Sequence, residues 1–494
     1  MSVYMIEGRS GGGPRNNLMK RKMGWGKVIF AHLVIIGVPT ILYYYLRLNG
    51  VDMFPIHAAV ATFYLITSLM IIWETTVAIF RRFGARTKAP TGALDRLGQR
   101  LKRTLGVTGA RQPDPARPLP RCSLIVAAYL PNEQDIIIET ITHILTRIRR
   151  PKDGLEVILA YNSPVRLPVM DALEDLARRH PEFRPLHVEG SESKAENLNA
   201  AIQVVTGEVT GILDADHHPH PDCLERAWRW LERDYDVVQG RSTIRNFDTN
   251  FQTRLVAVEF ECMYGVAHPA RSLMVDTAIF GGSNGYWRTG VLRTVRFDPH
   301  MMTEDIDASV RALLDGRRIV ADRSIVSSEL APAEFRGLWF QRKRWAQGWL
   351  EVSLKYQPKV WSSKQFTLGQ KIYWTYLLYY REIYPIASLQ IFPIIFSLLL
   401  YQGSMPLITH WYLWVTAVVT LLSGPYQTVA AAKNSVTRYP LSYSVVYALC
   451  VLFYVMVKNM NWILAFYDHM LGINHWVVTR RQIDERLKRR LEKA

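Results

Sequence analysis

Two long apolar runs open the chain. Val28 to Leu46 and Ala58 to Phe80 are each long enough to cross a bilayer. The short polar link "RLNGVDMFPIH" joins them into a predicted hairpin with its turn on the outside. From Arg121 to about Gln370 the pattern changes. Apolar runs of strand length ("CSLIVAAYL", "LEVILAYN", "GILDAD") alternate with amphipathic helical stretches ("EQDIIIETITHILTRI", "VMDALEDLARRH", "KAENLNAAIQVV"). That alternation predicts an α/β domain with a mostly parallel sheet. Three more apolar stretches follow, at about 372–401, 407–430 and 441–470.

Charge adds topology to this pattern. The chain has 494 residues and a formal net charge of +17, with the excess gathered beside the apolar runs. Arg9 to Lys27 precede the first run, Arg81 to Arg121 follow the second, and Arg480 to Lys493 form the tail. Basic residues flanking membrane spans mark the cytoplasmic side and meet lipid headgroups. No nucleic-acid motif accompanies them, so nucleic acid is not expected as a partner. Three crossings after residue 370 would leave the basic tail outside. One stretch therefore lies along the interface or re-enters, or the last makes two short passes. Lys458 and Asp468 interrupt that last stretch. The expected organisation is a basic cytosolic N-terminus (1–27), a transmembrane hairpin (28–80), a basic linker rich in Pro and Gly (81–120), the α/β domain (121–334), interfacial amphipathic helices (335–370), membrane helices (371–470) and a basic cytosolic tail (471–494). Four cysteines without paired spacing predict neither disulfides nor a zinc site.

Several short motifs can carry chemistry. "GILDADHHP" ends a buried strand in Asp214 and Asp216, and residues two apart on a strand point the same way. Two such carboxylates suit Mg²⁺ or Mn²⁺, although acidic loop residues are the plainer reading. His217 and His218 are further ligand candidates or loop-shaping residues. "MTEDIDAS" offers Glu304, Asp305 and Asp307, either as a proton acceptor at a cleft or as acids in the first turn of a helix capped by Thr303. "SESKAENLNAA" supplies Lys194, Asn197 and Asn199 at a helix start, where a lysine can hold a pyrophosphate or simply face solvent. "FGGSNGYWRTGVL" allows close backbone approach at Gly281, Gly282 and Gly285. "WFQRKRWAQGW" places Arg342, Lys343 and Arg344 among Trp339, Trp345 and Trp349. Cations suit a diphosphate and indole faces suit sugar rings; an interfacial helix reads the same way.

Taken in order, "SLIVAAYLPNE", "KAENLNAA", Asp-Ala-Asp, Thr-Glu-Asp and Gln-x-x-Arg-Trp (Gln341, Arg344, Trp345) resemble the processive family 2 glycosyltransferases, the membrane synthases of cellulose, hyaluronan, chitin, curdlan and poly-N-acetylglucosamine. The resemblance spans roughly residues 120–350. It implies a GT-A-type, Rossmann-like cytosolic domain inserted between transmembrane helices. It implies that Asp214 contacts the nucleotide sugar, that Asp216 binds the metal, and that Asp305 is the general base with Glu304 beside it. Lys194 and Arg344 would hold the diphosphate, while Gln341 and Trp345 would hold the acceptor end. "HWVVTRR" resembles a gating loop, which places Trp476 and Thr479 over the nucleotide and Arg480 near its phosphates. At the second strand "LEVILAYNSP" departs from the family's acidic pattern, and Asn162, where a base-binding carboxylate is usual, is expected to bind the nucleotide in its place by hydrogen bonding.

The implied function is an inverting transferase in the cell membrane. It polymerises sugar from a UDP-sugar donor, with UDP-glucose expected, into a β-linked polysaccharide acceptor and exports it through its own helices. A non-processive glycolipid-forming glucosyltransferase, or a synthase using UDP-N-acetylglucosamine or two alternating donors, is the alternative.

Overall fold

The computed structural model describes residues 25–80, 113–401 and 410–473. The two leading apolar runs form helices α1 (Gly26–Leu48) and α2 (Phe54–Phe80). The expected α/β domain follows. Its strands are β1 (Cys122–Tyr129), β2 (Leu155–Asn162), β3 (Phe183–His187), β4 (Val209–Asp214), β5 (His218–Pro219), β6 (Val237–Ile244), β7 (Gly285–Arg288) and β8 (Ile319–Glu329). The principal helices among them are α3 (Ile137–Arg147), α4 (Pro168–Arg179), α5 (Lys194–Val204), α6 (Cys223–Leu231), α7 (Phe251–Cys262) and α8 (Glu304–Leu314). Then come α9 (Phe335–Ser362), α10 (Leu368–Leu400), α11 (Trp411–Asn434) and α12 (Leu441–Met470).

One eight-stranded sheet runs in the order β3-β2-β1-β4-β7-β6-β8-β5. Strands β1, β2, β3 and β4 pair in parallel, as do β6 and β8. The sheet is nonetheless mixed, because β7 is antiparallel to both neighbours and β5 to β8. The alternation of strand and helix predicts only the first half. "GYWR" of β7 is a short run inside the glycine-rich motif, with no helix between it and a parallel partner. β1 is buried along nearly its whole length, which is why its sequence is apolar without alternation. Two cores sandwich the sheet, one centred on α5 and α8, the other on α3, α4 and α6.

Among the described residues five helices are long and apolar enough to cross a membrane: α1, α2, α10, α11 and α12. Their ends distinguish them. α1 runs from Lys27, paired with Asp468 at 3.5 Å, to Arg47, which donates to Ser397 at the far end of α10. α2 starts beside His410, just before α11, and ends with Glu74 paired to Arg271 of the α/β domain. α10 begins where Gln370 donates to the Asp276 carbonyl of that domain. α11 ends with the Asn434 carbonyl accepting from Arg241 in β6. These four therefore run between the α/β domain and the opposite face. α12 does not. Tyr439, just before it, donates to Ile244 in β6; Lys458 pairs with Glu259 in α7; Asp468 pairs with Lys343 in α9. Both of its ends and its middle touch the domain or α9, and its second half also meets α10, where Asn459 donates to Ser388 and Trp462 to Glu382, so the last apolar stretch packs between the domain face and α10. Leu441, Val445, Leu449 and Phe453 leave one apolar side of it exposed.

Candidate active site

The site assembles at the carboxyl ends of β1 and β4, where ligands gather in open α/β sheets. β4 delivers Asp214 as its last residue, and a tight turn places Asp216 behind it, 1% exposed. Ligand atoms of Asp214, Asp216 and His217 lie within 4.8 Å of one another. Both ring nitrogens of His217 already meet protein groups, Ser327 Oγ at 3.0 Å and Glu329 Oε2 at 2.7 Å. The donor set left is two carboxylates, and oxygen donors fit a hard divalent ion such as Mg²⁺ or Mn²⁺. His218 turns away and stacks on His143 at 4.4 Å.

A capping box, Ser193 with Glu196, starts α5 and fixes Lys194 at its first residue. Lys194 Nζ pairs with the Asp214 carboxylate, donates to the Gly282 carbonyl at 2.8 Å and stands 4.0 Å from Glu304. Burial alone would lower its pKa, but Asp214, Glu304 and Asp305 outweigh it, and the amine stays charged with its pKa raised.

Asp305 lies in the first turn of α8, with Oδ1 accepting from the Ile306 amide at 2.8 Å. Its Oδ2 lies against Gly282: a Cβ there would stand 2.7 Å away. Gly282 also has φ +86°, so the position needs glycine for conformation and for space. Burial, and next the Glu304 charge, raise the Asp305 pKa to about 7, against the pull of Lys194 and Arg344. A carboxyl tuned to neutrality is suited to accepting a proton at physiological pH.

Helix α9 closes the site. A Cβ on its Gly348 would stand 2.4 Å from Thr303 Cγ2, so the missing side chain lets α9 pack directly on the start of α8. Of the three adjacent cations, two point away. Arg342 donates to Glu259 Oε2 at 2.6 Å and Lys343 pairs with Asp468. Arg344 faces Asp305, close enough to lower its pKa, and donates to the Met302 carbonyl at 3.1 Å. Trp345 is half-buried with the Arg342 guanidinium 4.2 Å above its ring. The Gln341 amide is half-buried on the same helix. The structure thus draws Lys194, Asp214, Asp216, Glu304, Asp305 and Arg344 together.

Asn162 sits at the end of β2, buried, with its Nδ2 donating to the Ser191 carbonyl and its Oδ1 accepting from Asn197, both at 2.8 Å. Its amide braces two loops. Asn199 likewise exchanges both hydrogen bonds of its amide with the Phe297 backbone. Trp476, Thr479 and Arg480 lie outside the described residues.

Two residues escaped the motif search. Tyr264 occupies a π-helical turn (Met263–Ala267) that continues α7, between Phe260 and His268. Its hydroxyl is 3.0 Å from where a Gly281 Cβ would be. Its pKa is raised by burial and then by Glu329, Asp305 and Asp214, which places it among the acids. π-Turns are frequent at functional sites, but nothing in the apolar pattern of α7 marks this one. Glu329, at the end of β8, is the other; only its pairing with His217 reveals it.

Comparison with known proteins agrees with this geometry. The sequence model described as Glycosyl transferase family group 2 matches residues 210–465, and that of Glycosyl transferase family 2 matches 123–295. Glucomannan 4-beta-mannosyltransferase 1 of Oryza sativa subsp. japonica is 24% identical over 286 residues, 56% of this chain and 51% of that protein. The chain thus matches about half the length of this relative. Probable glycosyltransferase YdaM of Bacillus subtilis (strain 168) is 22% identical over 330 residues, 65% of this chain and 76% of that protein. Among solved structures, the mannosyltransferase PcManGT from Pyrobaculum calidifontis, in complex with GDP-Man and Mn²⁺, superposes with a TM-score of 0.50 and 23% identity, covering 78% of this chain and 98% of its own. That likeness establishes the GT-A-type fold. With a family match spanning more than half its length, this chain belongs to glycosyl transferase family group 2 and is a glycosyltransferase.

Proposed function

We propose that the chain is an inverting membrane transferase that extends a β-linked polysaccharide from a nucleoside-diphosphate hexose. The observation that carries this is the meeting of Asp305 with Lys194, Asp214, Glu304 and Arg344 under the α9 helix that presents Trp345. Trp345 would stack on the terminal sugar of the acceptor, with Gln341 beside it. Asp305 would take the proton from the acceptor hydroxyl as its oxygen attacks the anomeric carbon. The bond from that carbon to the diphosphate breaks on the opposite face, and the configuration inverts. Lys194 and Arg344 would meet the charge that develops on the departing diphosphate. Asp214 and Asp216 would hold a divalent cation, Mg²⁺ or Mn²⁺, which neutralises diphosphate charge when bound.

The orientation of the helices supports a four-crossing topology with α12 in the membrane plane. The α/β domain, the basic N-terminus and the basic tail then share the cytosolic side of the cell membrane, as the positive-inside rule requires. The exposed side of α12 would face lipid. The grown chain would leave between the crossing helices, since sugar hydroxyls cannot cross hydrocarbon unhydrated.

UDP-glucose is the proposed donor, on the motif likeness to the polymer synthases. GDP-mannose is the second reading. It is favoured by the mannosyltransferase relative and by Asn162, whose amide is committed to bracing rather than to a base. The test is a donor screen on purified protein that follows release of the nucleoside diphosphate, then sizes the product. A long polymer supports the proposal, with the donor read from which nucleotide appears. A single sugar on a lipid overturns it in favour of a glycolipid-forming enzyme.

A further inference from the structure

Arg342 sits among the catalytic motif's cations yet does not point at the acids. Its guanidinium lies over the Trp345 ring at 4.2 Å, one helical turn away on α9. It is held there from below. Glu259, in α7 and 8% exposed, accepts from Arg342 Nη2 at 2.6 Å. The same carboxylate accepts from Tyr454 at 2.8 Å and, through its other oxygen, from Lys458 Nζ at 2.8 Å, both on α12. Burial alone would raise the Glu259 pKa, but Arg342 and Lys458 hold it down to about 2, so the charge is permanent. Among the described residues Glu259 is the only carboxylate in ion-pairing distance of Arg342, and Arg342 Nε is buried without a hydrogen-bond partner.

We propose that Glu259 is a positioning residue for the acceptor: it pins the Arg342 guanidinium against one face of Trp345, and this backstop fixes the indole and leaves its other face for the sugar. The inference rests on the reading of Trp345 as the acceptor platform. A neutral residue at 259 frees the guanidinium, and the indole loses a cation–π contact together with its fixed orientation.

The test uses the full chain in detergent with UDP-glucose and GDP-mannose, and with cellotetraose and mannotetraose as acceptor probes. Two rates are measured: transfer to the tetraose, and release of nucleoside diphosphate to water without any saccharide. Trp345→Ala is the reference for the platform. Glu259→Gln is expected to raise the tetraose KM about tenfold and to leave the water rate within about twofold. Lys458→Met keeps the Glu259–Arg342–Trp345 chain, so its tetraose KM stays at the wild-type value. If Glu259→Gln fails to fold, Arg342→Lys is measured instead; it keeps a charge for Glu259, removes the planar group over the indole, and is expected to raise the same KM. A Trp345→Ala protein with unchanged tetraose KM would overturn the platform itself. A raised KM in Trp345→Ala with a wild-type KM in the Glu259 or Arg342 variant overturns the positioning role alone. So does a parallel loss of transfer and water rates in that variant.

Discussion

Gly348→Ala tests how closely α9 must approach the catalytic acids. A Cβ at this position would stand 2.4 Å from Thr303 Cγ2, 2.6 Å from its Oγ1 and 2.9 Å from its Cβ. Carbon atoms rest at about 3.5–4.0 Å, so the shortest contact falls short by roughly 1 Å. Rotating Thr303 does not relieve it, because the Thr303 Cβ itself is too near. α9 must then move off the start of α8, carrying Arg344 and Trp345 away from Asp305. Overpacking costs about 1–3 kcal/mol, and alanine in a helix returns about 1 kcal/mol relative to glycine, so folding should suffer little. Catalysis should suffer more: a misplacement of about 1 Å costs about a hundredfold, or about 2.7 kcal/mol of barrier. The assay pairs nucleoside-diphosphate release in the presence of acceptor with thermal unfolding in detergent. A folded variant with wild-type kcat/KM would refute the claim that contact between α8 and α9 sets the geometry.

Other predictions follow from single groups. Replacing Asp305 with Asn removes the proposed proton acceptor, so transfer should fall by about 10²–10⁴-fold while donor binding by equilibrium dialysis persists. Because the proposed base works deprotonated and its pKa is raised to about 7, kcat/KM should climb with pH and level off above neutrality. Lys194→Met removes a cation that holds that pKa down, and the acid limb should move to higher pH; Glu304→Gln should move it lower. Arg241 and Glu261 form an ion pair 1% and 2% exposed, so Arg241→Met leaves a buried carboxylate uncompensated and should cost about 3–5 kcal/mol, largely recovered in Arg241→Met/Glu261→Leu. In a Cys450→Ser background, cysteines placed at Arg438 and Leu471 should react with an impermeant thiol reagent from the same side, and one at Val51 from the other. Labelling of 438 and 471 from opposite sides would make α12 a crossing.

Much of the site was legible because its residues lie in short runs whose backbone geometry is local. Asp214 closes a strand that its own apolar sequence predicts, and the turn to Asp216 brings the second carboxylate beside it. Glu304 and Asp305 read locally as a plain helix start, and the structure bears that out, although the Thr303 side chain makes no cap hydrogen bond. They are in the first turn of α8, and they also face Lys194. What stayed hidden depends on contacts between distant segments. Tyr264 enters the site through a π-helical turn that no periodicity announces, and Gly348 matters only because Thr303 lies opposite. In "QRKRW" composition alone offers three equivalent cations, and the Gln-x-x-Arg-Trp resemblance picks out Arg344. Glu259 and Asp468, each contributed by another helix, show where Arg342 and Lys343 turn instead.

The last apolar stretch shows why composition alone misjudges a helix of this kind. By length and hydropathy α12 matches the four helices that run between the two faces. Its interruptions carry the discriminating information. Lys458, Asn461 and Asp468 recur at three- and seven-residue spacing, which sets them along one side of a helix. A span buried in hydrocarbon would have to neutralise each of them within the bundle. Here each finds a partner on the α/β domain or α9, namely Glu259, the Trp339 carbonyl and Lys343, while Asp468 also pairs with Lys27 of α1 and the neighbouring Asn459 donates to Ser388 of α10. Leu441, Val445, Leu449 and Phe453 recur every four residues on the exposed side. One polar edge that meets protein and one exposed apolar edge are what the proposed interfacial placement of this helix requires. The same arrangement brings Ile473, whose carbonyl accepts from Gln347 at 3.0 Å, back to α9 two residues beyond Trp345.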